Sequence, residues 1–280
     1  MARLDDAADA SVALPHVRKG PSPIQVVLNF LSKFGSIIVF LAAWEVLASS
    51  GVFTPFLLPK FSVVVERIAS DMWAGVWFFN IAETLYRAVT GFACAAVVGV
   101  TVGILMGRTK FFRWFFDPVV SVGFPSPKIA FLPVFILWFD LFDTAKIVMI
   151  AFSAMFTIIA ASWAGTFQVD KHFIWSARSL GANNRQILTE VVLPAALPQI
   201  LTGLQIALPI SMIVALVTEF LMGGTGLGGA MIEAQRFGDS PGVFAGIVSI
   251  ALAGITLIKL LEYFRRRMLS WHSETAATTA

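Results

Sequence analysis

Between Arg87 and Arg108 the chain reads "AVTGFACAAVVGVTVGILMG", with no charged side chain in it. A helix rises about 1.5 Å per residue, so a run of about 20 residues matches the roughly 30 Å hydrocarbon core of a bilayer. Similar runs recur along the chain, and in an apolar solvent each must satisfy its own backbone hydrogen bonds, which a helix does. The composition agrees: 58% of residues are hydrophobic and 13% charged, with a mean hydropathy of +0.82. That leaves too little polar surface for a soluble domain of this length. The expected fold class is an all-α membrane protein.

Six spans are predicted, at residues 32–50, 84–106, 115–138, 145–165, 196–219 and 243–264. An even count places both termini on one side. On that side fall Arg3, Arg18, Lys19, Lys33, Arg108, Lys110, Arg113, Lys171, Arg178, Arg185 and Arg265 to Arg267. Only Lys60, Arg67, Arg87, Lys146 and Arg236 fall opposite, while Lys128 and Lys259 lie within spans. Positive charge concentrates in the cytoplasm, so both ends are expected there. Residues 1–31 form a polar N-terminal tail, 32–267 the transmembrane domain with a cytoplasmic loop at about 166–195, and 268–280 a C-terminal tail. The start lacks the basic-then-apolar order of a signal peptide, so the first span is expected to stay as an anchor. The net charge of +3 comes from residues flanking the spans, not from an aromatic-interleaved patch, and points to the lipid bilayer rather than to nucleic acid. Cys94, the single cysteine, excludes an internal disulfide and is expected to pack as a small hydrophobe.

Several polar features interrupt the apolar pattern. Residues 61 onward, "FSVVVERIASDMWAGVWFF", suit an amphipathic helix with Trp73 and Trp77 at headgroup depth, or a loop helix packed on the protein. The third span contains "GFPSPKIAFLP": Pro125, Pro127 and Pro133 remove backbone donors, and Lys128 brings a charge. Broken backbone is tolerated where protein or water surrounds it, so Pro125, Ser126 and Lys128 are candidates for lining a translocation path. The alternative is a snorkelling lysine on a kinked helix. Glu219, near the outer end of the fifth span, is either a further lining group or a solvated carboxylate. Glu83 and Arg87 are spaced to pair on one helix face.

No catalytic constellation is present. His16, His172 and His272 have no zinc-site spacing, and no Gly-x-Ser-x-Gly elbow or phosphate-binding loop ending in Gly-Lys-Ser/Thr occurs. Gly224, Gly226 and Gly229 of "GGTGLGG" satisfy a dinucleotide pattern, but they follow a membrane helix rather than a strand and suit a tight turn.

The most structured polar segment is "SARSLGANNRQILTEVVLP", from Ser176 to Pro194. Phe173, Ala177 and Leu180 share a helix side that Gly181 can end, and Ile187, Leu188, Val191 and Val192 form a second apolar stretch. Pro194 suits the first turn of the next span. Two short helices joined at a glycine, with Arg178, Asn183, Asn184 and Arg185 outward, make a surface for a cytoplasmic protein.

This stretch resembles the EAA loop of binding-protein-dependent ABC importer permeases. In that pattern Glu-Ala-Ala is followed by three residues, Gly, nine residues and Ile-x-Leu-Pro. Ala177, Gly181, Val191, Leu193 and Pro194 fit it, with Arg178 beside them; Trp175 replaces the usual glutamate and Ser176 the first alanine. Over residues 55–271, "TLYRAVTGFACAAVVGVTVGILMG", "PSPKIAFLPVFILWF" and "EFLMGGTGLGGAMIEA" are similar to the nitrate, sulfonate, taurine and bicarbonate branch. There the third-span stretch usually ends Trp-Phe-Gly; here Asp140 follows Trp138 and Phe139. The resemblance implies the type I importer permease fold and an inner-membrane homodimer. It also implies two cytoplasmic ATPase subunits docked on the loop and a periplasmic binding protein supplying a small solute. No cofactor and no reaction are implied for this chain. An ion-coupled secondary transporter and an intramembrane enzyme are the rival readings.

Overall fold

The computed structural model describes residues 23–271, and side chains from residue 35 onward. The helices are α1 (Pro23–Ser49), α2 (Phe61–Trp73), α3 (Val76–Arg108), α4 (Lys110–Gly123), α5 (Leu132–Phe139), α6 (Asp143–Phe167), α7 (Lys171–Ser179), α8 (Asn184–Gln186), α9 (Leu193–Met222), α10 (Leu227–Arg236) and α11 (Ser240–Met268). A 3₁₀ turn, Lys128–Phe131, leads into α5, and a π-helical turn, Ile187–Val192, joins α8 to α9. Residues 1–22 of the expected N-terminal tail, with Arg3, His16, Arg18 and Lys19, and residues 272–280 of the expected C-terminal tail lie outside the described residues. Helix α1 begins at Pro23, inside the segment expected to be tail.

Among the described residues, four helical stretches are long and apolar enough to cross a membrane: Val76–Arg108, Asp143–Phe167, Asn184–Met222 and Ser240–Met268. The third predicted span is instead two helices, Lys110–Gly123 and Lys128–Phe139, bent by 99°. Counting that pair as one gives five; α1 is 27 residues long, and its part with described side chains, Gly35–Ser49, is apolar. The bend lies where Pro125 and Pro127 withdraw two donors from the helical ladder. Pro133, at the first turn of α5, costs no internal bond.

The core is built on α3 and α6. Gly91, Ala95, Gly99, Gly103 and Gly107 recur every fourth residue and form one stripe of α3. Backbone approaches backbone along it. A Cβ on Gly91 would lie 2.6 Å from Ile150 Cγ2, one on Gly99 2.8 Å from Ile158 Cβ, and one on Gly103 2.5 Å from Ser162 Cβ. Small residues allow such close helix contact where lipid supplies little hydrophobic drive. Helix α9 packs on the same pair through Ala207, which joins Ala95, Ala154 and Ile158 in one buried cluster. A second cluster, including Ala88, Met149, Met212, Leu132 and Ala253, brings in α5 and α11.

Helix α2 packs against α11 and α3, burying Val64, and polar contacts tie it down. Ser62 donates from its amide to Glu45 at 3.1 Å. Arg67 pairs with Asp71 at 3.0 Å and with Asp239, just before α11, at 2.6 Å. Desolvation pulls the Arg67 guanidinium down, but the two carboxylates outweigh it and hold it above its ordinary value. The amphipathic stretch ends sooner than the sequence suggested: Gly75, with φ of 77°, turns the chain, and α3 starts at Val76 rather than near residue 84. Trp73 is 96% exposed, but Trp77 belongs to α3 and donates to Ser249 Oγ at 2.7 Å, so it is a packing residue rather than a headgroup anchor. Cys94 is exposed rather than packed within the chain.

The seam predicts a sharp contrast between glycines. Gly103→Ala forces a Cβ to within 2.7 Å of the Ile159 carbonyl oxygen and is expected to cost about 1–3 kcal/mol. Gly254→Ala meets nothing within 4 Å on α11 and is expected to be neutral or to stabilise by up to about 1 kcal/mol. Unfolding midpoints of the two variants in one detergent check this; equal effects would contradict the seam.

Candidate functional site

The Ser176 to Pro194 segment folds as the two-helix element its sequence suggests. Asp170 caps α7 by accepting from the His172 amide at 2.9 Å. At the other end Gly181 has a φ of +85°. Its amide donates to the Arg178 carbonyl at 2.9 Å, and the Ala182 amide to the Ala177 carbonyl at 3.0 Å. This double bond pattern is a Schellman motif, which needs a left-handed residue where Gly181 stands. Asn183 then starts the next helix: its side chain accepts from the Arg185 and Gln186 amides, while the Gln186 side chain accepts from the Asn183 amide at 2.9 Å.

The second helix differs from expectation. It does not stop before the fifth span; Asn184–Met222 is one continuous rod of 39 residues. Pro194 would clash with the ordinary i−4 carbonyl, and the π turn before it relieves this, with the Leu193 amide donating to the Leu188 carbonyl instead. Arg178, Asn183, Asn184 and Arg185 are exposed. Phe173 and Leu180 are also 61% and 89% exposed, so their side of the element has no partner within the described chain. Between α7 and the start of α9, Phe173, Ser176, Val191, Pro194, Pro198 and Trp271 line an open groove of ≈ 430 Å³.

At the bend, Lys128 lies in the 3₁₀ turn and is half-buried. Its ammonium folds back to donate to the Phe124 carbonyl at 2.7 Å. Ser126 donates from its hydroxyl to the Val122 carbonyl at 2.5 Å. Pro125 is exposed beside them. Asp140, after α5, has φ 61° and ψ −167° and is the one non-glycine residue at positive φ among those described. The usual glycine of the resembling stretch is thereby explained: this backbone region is nearly glycine-only. Asp140 holds it with its own side chain, which accepts from the Leu141 amide at 2.8 Å.

The opposite end of α9 carries a cluster the sequence only hinted at. Glu219 is fully buried, not solvated. Arg87, 2% exposed, donates from Nη1 to Glu219 at 2.7 Å and to the Thr225 carbonyl at 2.7 Å. From Nη2 it reaches Glu83 at 2.9 Å, the expected pair, and Thr225 Oγ1 at 2.8 Å. From Nε it reaches Asp143 at 2.8 Å. Lys146, expected on the outer side at the start of the fourth span, is buried in the first turns of α6 and donates to the Gly223 carbonyl at 2.9 Å. Thr84 donates to Glu219 at 2.9 Å and accepts from the Leu227 amide at 2.8 Å, and the Gly228 amide donates to Glu219 at 2.9 Å. The glycine-rich run is thus a pinned turn: Gly223, Gly224 and Gly226 have positive φ, and a Cβ on Gly226 would sit 2.4 Å from Glu219. Sequence reasoning missed Asp143 and Lys146 because charges at helix ends resemble loop charges. Their opposite signs at the ends of three apolar runs were the available signal.

Residues 99–270 match the family model described as binding-protein-dependent transport system inner membrane component. The chain belongs to this family. It is 32% identical to the taurine transport system permease protein TauC of Escherichia coli over 91% of this chain and 93% of that one. It is also 32% identical to the putative aliphatic sulfonates transport permease protein SsuC of Bacillus subtilis, covering 84% and 85%. The fold matches a chain of the inward-facing MetNI methionine ABC transporter at a TM-score of 0.59 and 21% identity, over 71% of this chain and 96% of that one. This family member is therefore an ABC importer permease subunit, a multi-pass membrane protein that works with an ATPase and a binding protein. Membership sets aside the secondary-transporter and enzyme readings.

Two substitutions probe this geometry. Arg87→Ala strips Glu219 of its buried counter-ion and is expected to cost about 3–5 kcal/mol. Arg87→Lys, with fewer donors, is expected to recover only part of it. Chemical unfolding in detergent reads both, and an Arg87→Ala variant of normal stability would contradict the cluster's role. Asp140→Gly is expected to stabilise by about 1–2 kcal/mol, since strain at such a backbone position costs about 1–3 kcal/mol and one local hydrogen bond is lost. An unchanged or lower unfolding midpoint would contradict it.

Proposed function

We propose that this permease pairs with a second copy of itself and crosses the bacterial inner membrane six times per copy with both termini cytoplasmic. Two ATPase subunits dock on the element from Phe173 to Val192, one per copy. A periplasmic binding protein delivers a small solute of the sulfonate, taurine or nitrate kind. The named relatives, one a taurine and one an aliphatic sulfonate permease, support that class. The solute passes between the two copies, with Pro125, Ser126 and Lys128 along its path. Glu219 serves the path by holding its outer end in shape rather than by touching solute, since it is buried. The chain holds no cofactor; ATP is hydrolysed on the separate subunits.

One observation carries the coupling role. The element is rigidly capped at both of its helices, exposes Phe173, Trp175 and Leu180, and continues without a break into a rod ending in the Arg87 cluster. A force applied by an ATPase at Ala177, Arg178 and Gly181 is passed through Val191, Leu193 and Pro194 into α9. ATP binding and release change the contacts on this element, and that difference in contact energy shifts the equilibrium between inward and outward access.

Gly181→Asp separates docking from folding. No atom lies within 4 Å of a Cβ placed there, and aspartate is among the residues that visit left-handed backbone, so the cost is the backbone strain at φ +85°, about 1–2 kcal/mol, and the permease is expected still to insert. In the full reconstituted importer, solute-stimulated ATP hydrolysis is expected to fall more than about tenfold, a cost of about 1.4 kcal/mol or more in coupling, and ATPase association to weaken. Arg178→Glu is expected to give a milder loss. Normal association and normal stimulation in Gly181→Asp would overturn the coupling role.

A further inference from the structure

We propose that Lys128 makes the solute path selective for anions, acting as the counter-ion for a sulfonate-type group on the passing solute. The inference rests on the path assignment above and names the charge that path accepts.

Lys128 is the one charged residue between Asp117 and Asp140, a stretch that is otherwise apolar apart from Ser121 and Ser126. It sits where the broken span turns through 99°. The other cations buried in the bundle have partners built in. Arg87 meets Glu83, Asp143 and Glu219, and Lys146, held by the Gly223 carbonyl, sits in the field of the same three carboxylates. Among the described residues, no carboxylate lies within ion-pair distance of Lys128. Its ammonium has the Phe124 carbonyl at 2.7 Å and the Ser126 carbonyl at 3.4 Å. The rings of Phe124 and Phe156 lie 5.9 and 5.7 Å away.

These neighbours orient the ammonium without neutralising it. Two carbonyl dipoles and two ring faces leave a full positive charge, and an ammonium has three donors to place. The half-buried side chain keeps one side open, beside Phe124, Pro125 and Ile129, which are exposed on this chain. An uncompensated charge at membrane depth persists where water or a partner ion reaches it. Two copies related by a two-fold axis present two such charges to a shared path. Rings of Lys or Arg admit anions and repel cations in membrane pores. A compact anion that accepts hydrogen bonds, as a sulfonate does, meets both the charge and the remaining donor.

The test reads the local field without needing the natural solute. The full importer carries Cys94→Ala and Ser126→Cys in the permease. The introduced cysteine is labelled with sulfonatoethyl methanethiosulfonate, an anion, or trimethylammonioethyl methanethiosulfonate, a cation. Each rate is divided by the same reagent's rate with a free thiol, and labelling is read on the permease chain with and without ATP. An anion preference of about tenfold is expected beside an intact Lys128, on the scale of focused fields in clefts. It is expected to vanish in Lys128→Gln and to survive in Lys128→Arg, which keeps the charge. Reaction with both reagents and no preference, or a preference that persists in Lys128→Gln, would overturn the inference while leaving the path intact. No reaction with either reagent in any nucleotide state would overturn both.

Discussion

Glu219 has no solvent exposure, and Arg87 reaches it across 2.7 Å from another helix. Two charges removed from water cost more than their attraction returns unless every remaining lone pair and proton finds a partner. Here they do: Thr84 and the Gly228 amide complete Glu219, while Glu83, Asp143 and both oxygens of Thr225 complete Arg87. Such a cluster has few alternative geometries. It fixes the ends of α3, α6 and α9 and the turn after α9 relative to one another. That is a source of specificity rather than of large net stability.

Below it, the glycine stripe of α3 removes the space in which α3 and α6 could slide. Side chains of Ile150, Ile158 and Ser162 occupy positions a Cβ on α3 would need. Cluster and stripe together make α3, α6 and α9 one stiff unit, and stiffness is what a lever requires. The rod from Asn184 to Met222 runs from the exposed two-helix element to the buried cluster. A displacement at one end is delivered at the other. The broken span, lacking such clamps, lies at the edge of this unit, where Leu137 and Trp138 are exposed on the single chain.

Much of this was legible in the residues, and the failures have physical causes. The apolar runs gave the helices because a bilayer leaves the backbone no other choice. Gly181 marked the end of one helix because its signal is local, a left-handed backbone; Asn183, read only as an outward polar residue, caps the start of the next. The broken span was visible in Pro125 and Pro127, whose signal is also local. What escaped was tertiary. Nothing near Glu219 in the sequence tells that Arg87 lies against it, since 132 positions separate them. The continuity of α8 with α9 was missed because Pro194 is an ordinary helix starter, and the π turn that accommodates it mid-rod has no sequence signature. Asp140 departed from the family pattern without explanation until its positive φ showed why glycine is usual there.

In the proposed importer the face carrying Phe173, Ala177 and Leu180 is covered by an ATPase. A photo-crosslinking amino acid placed at Leu180, 89% exposed in the single chain, tests it most directly. In the assembled transporter, illumination should join the permease to the ATPase subunit in high yield, with an efficiency that changes between nucleotide-free and ATP-bound states. Crosslinks to lipid or to the second permease copy alone, with none to the ATPase in either state, would contradict the account.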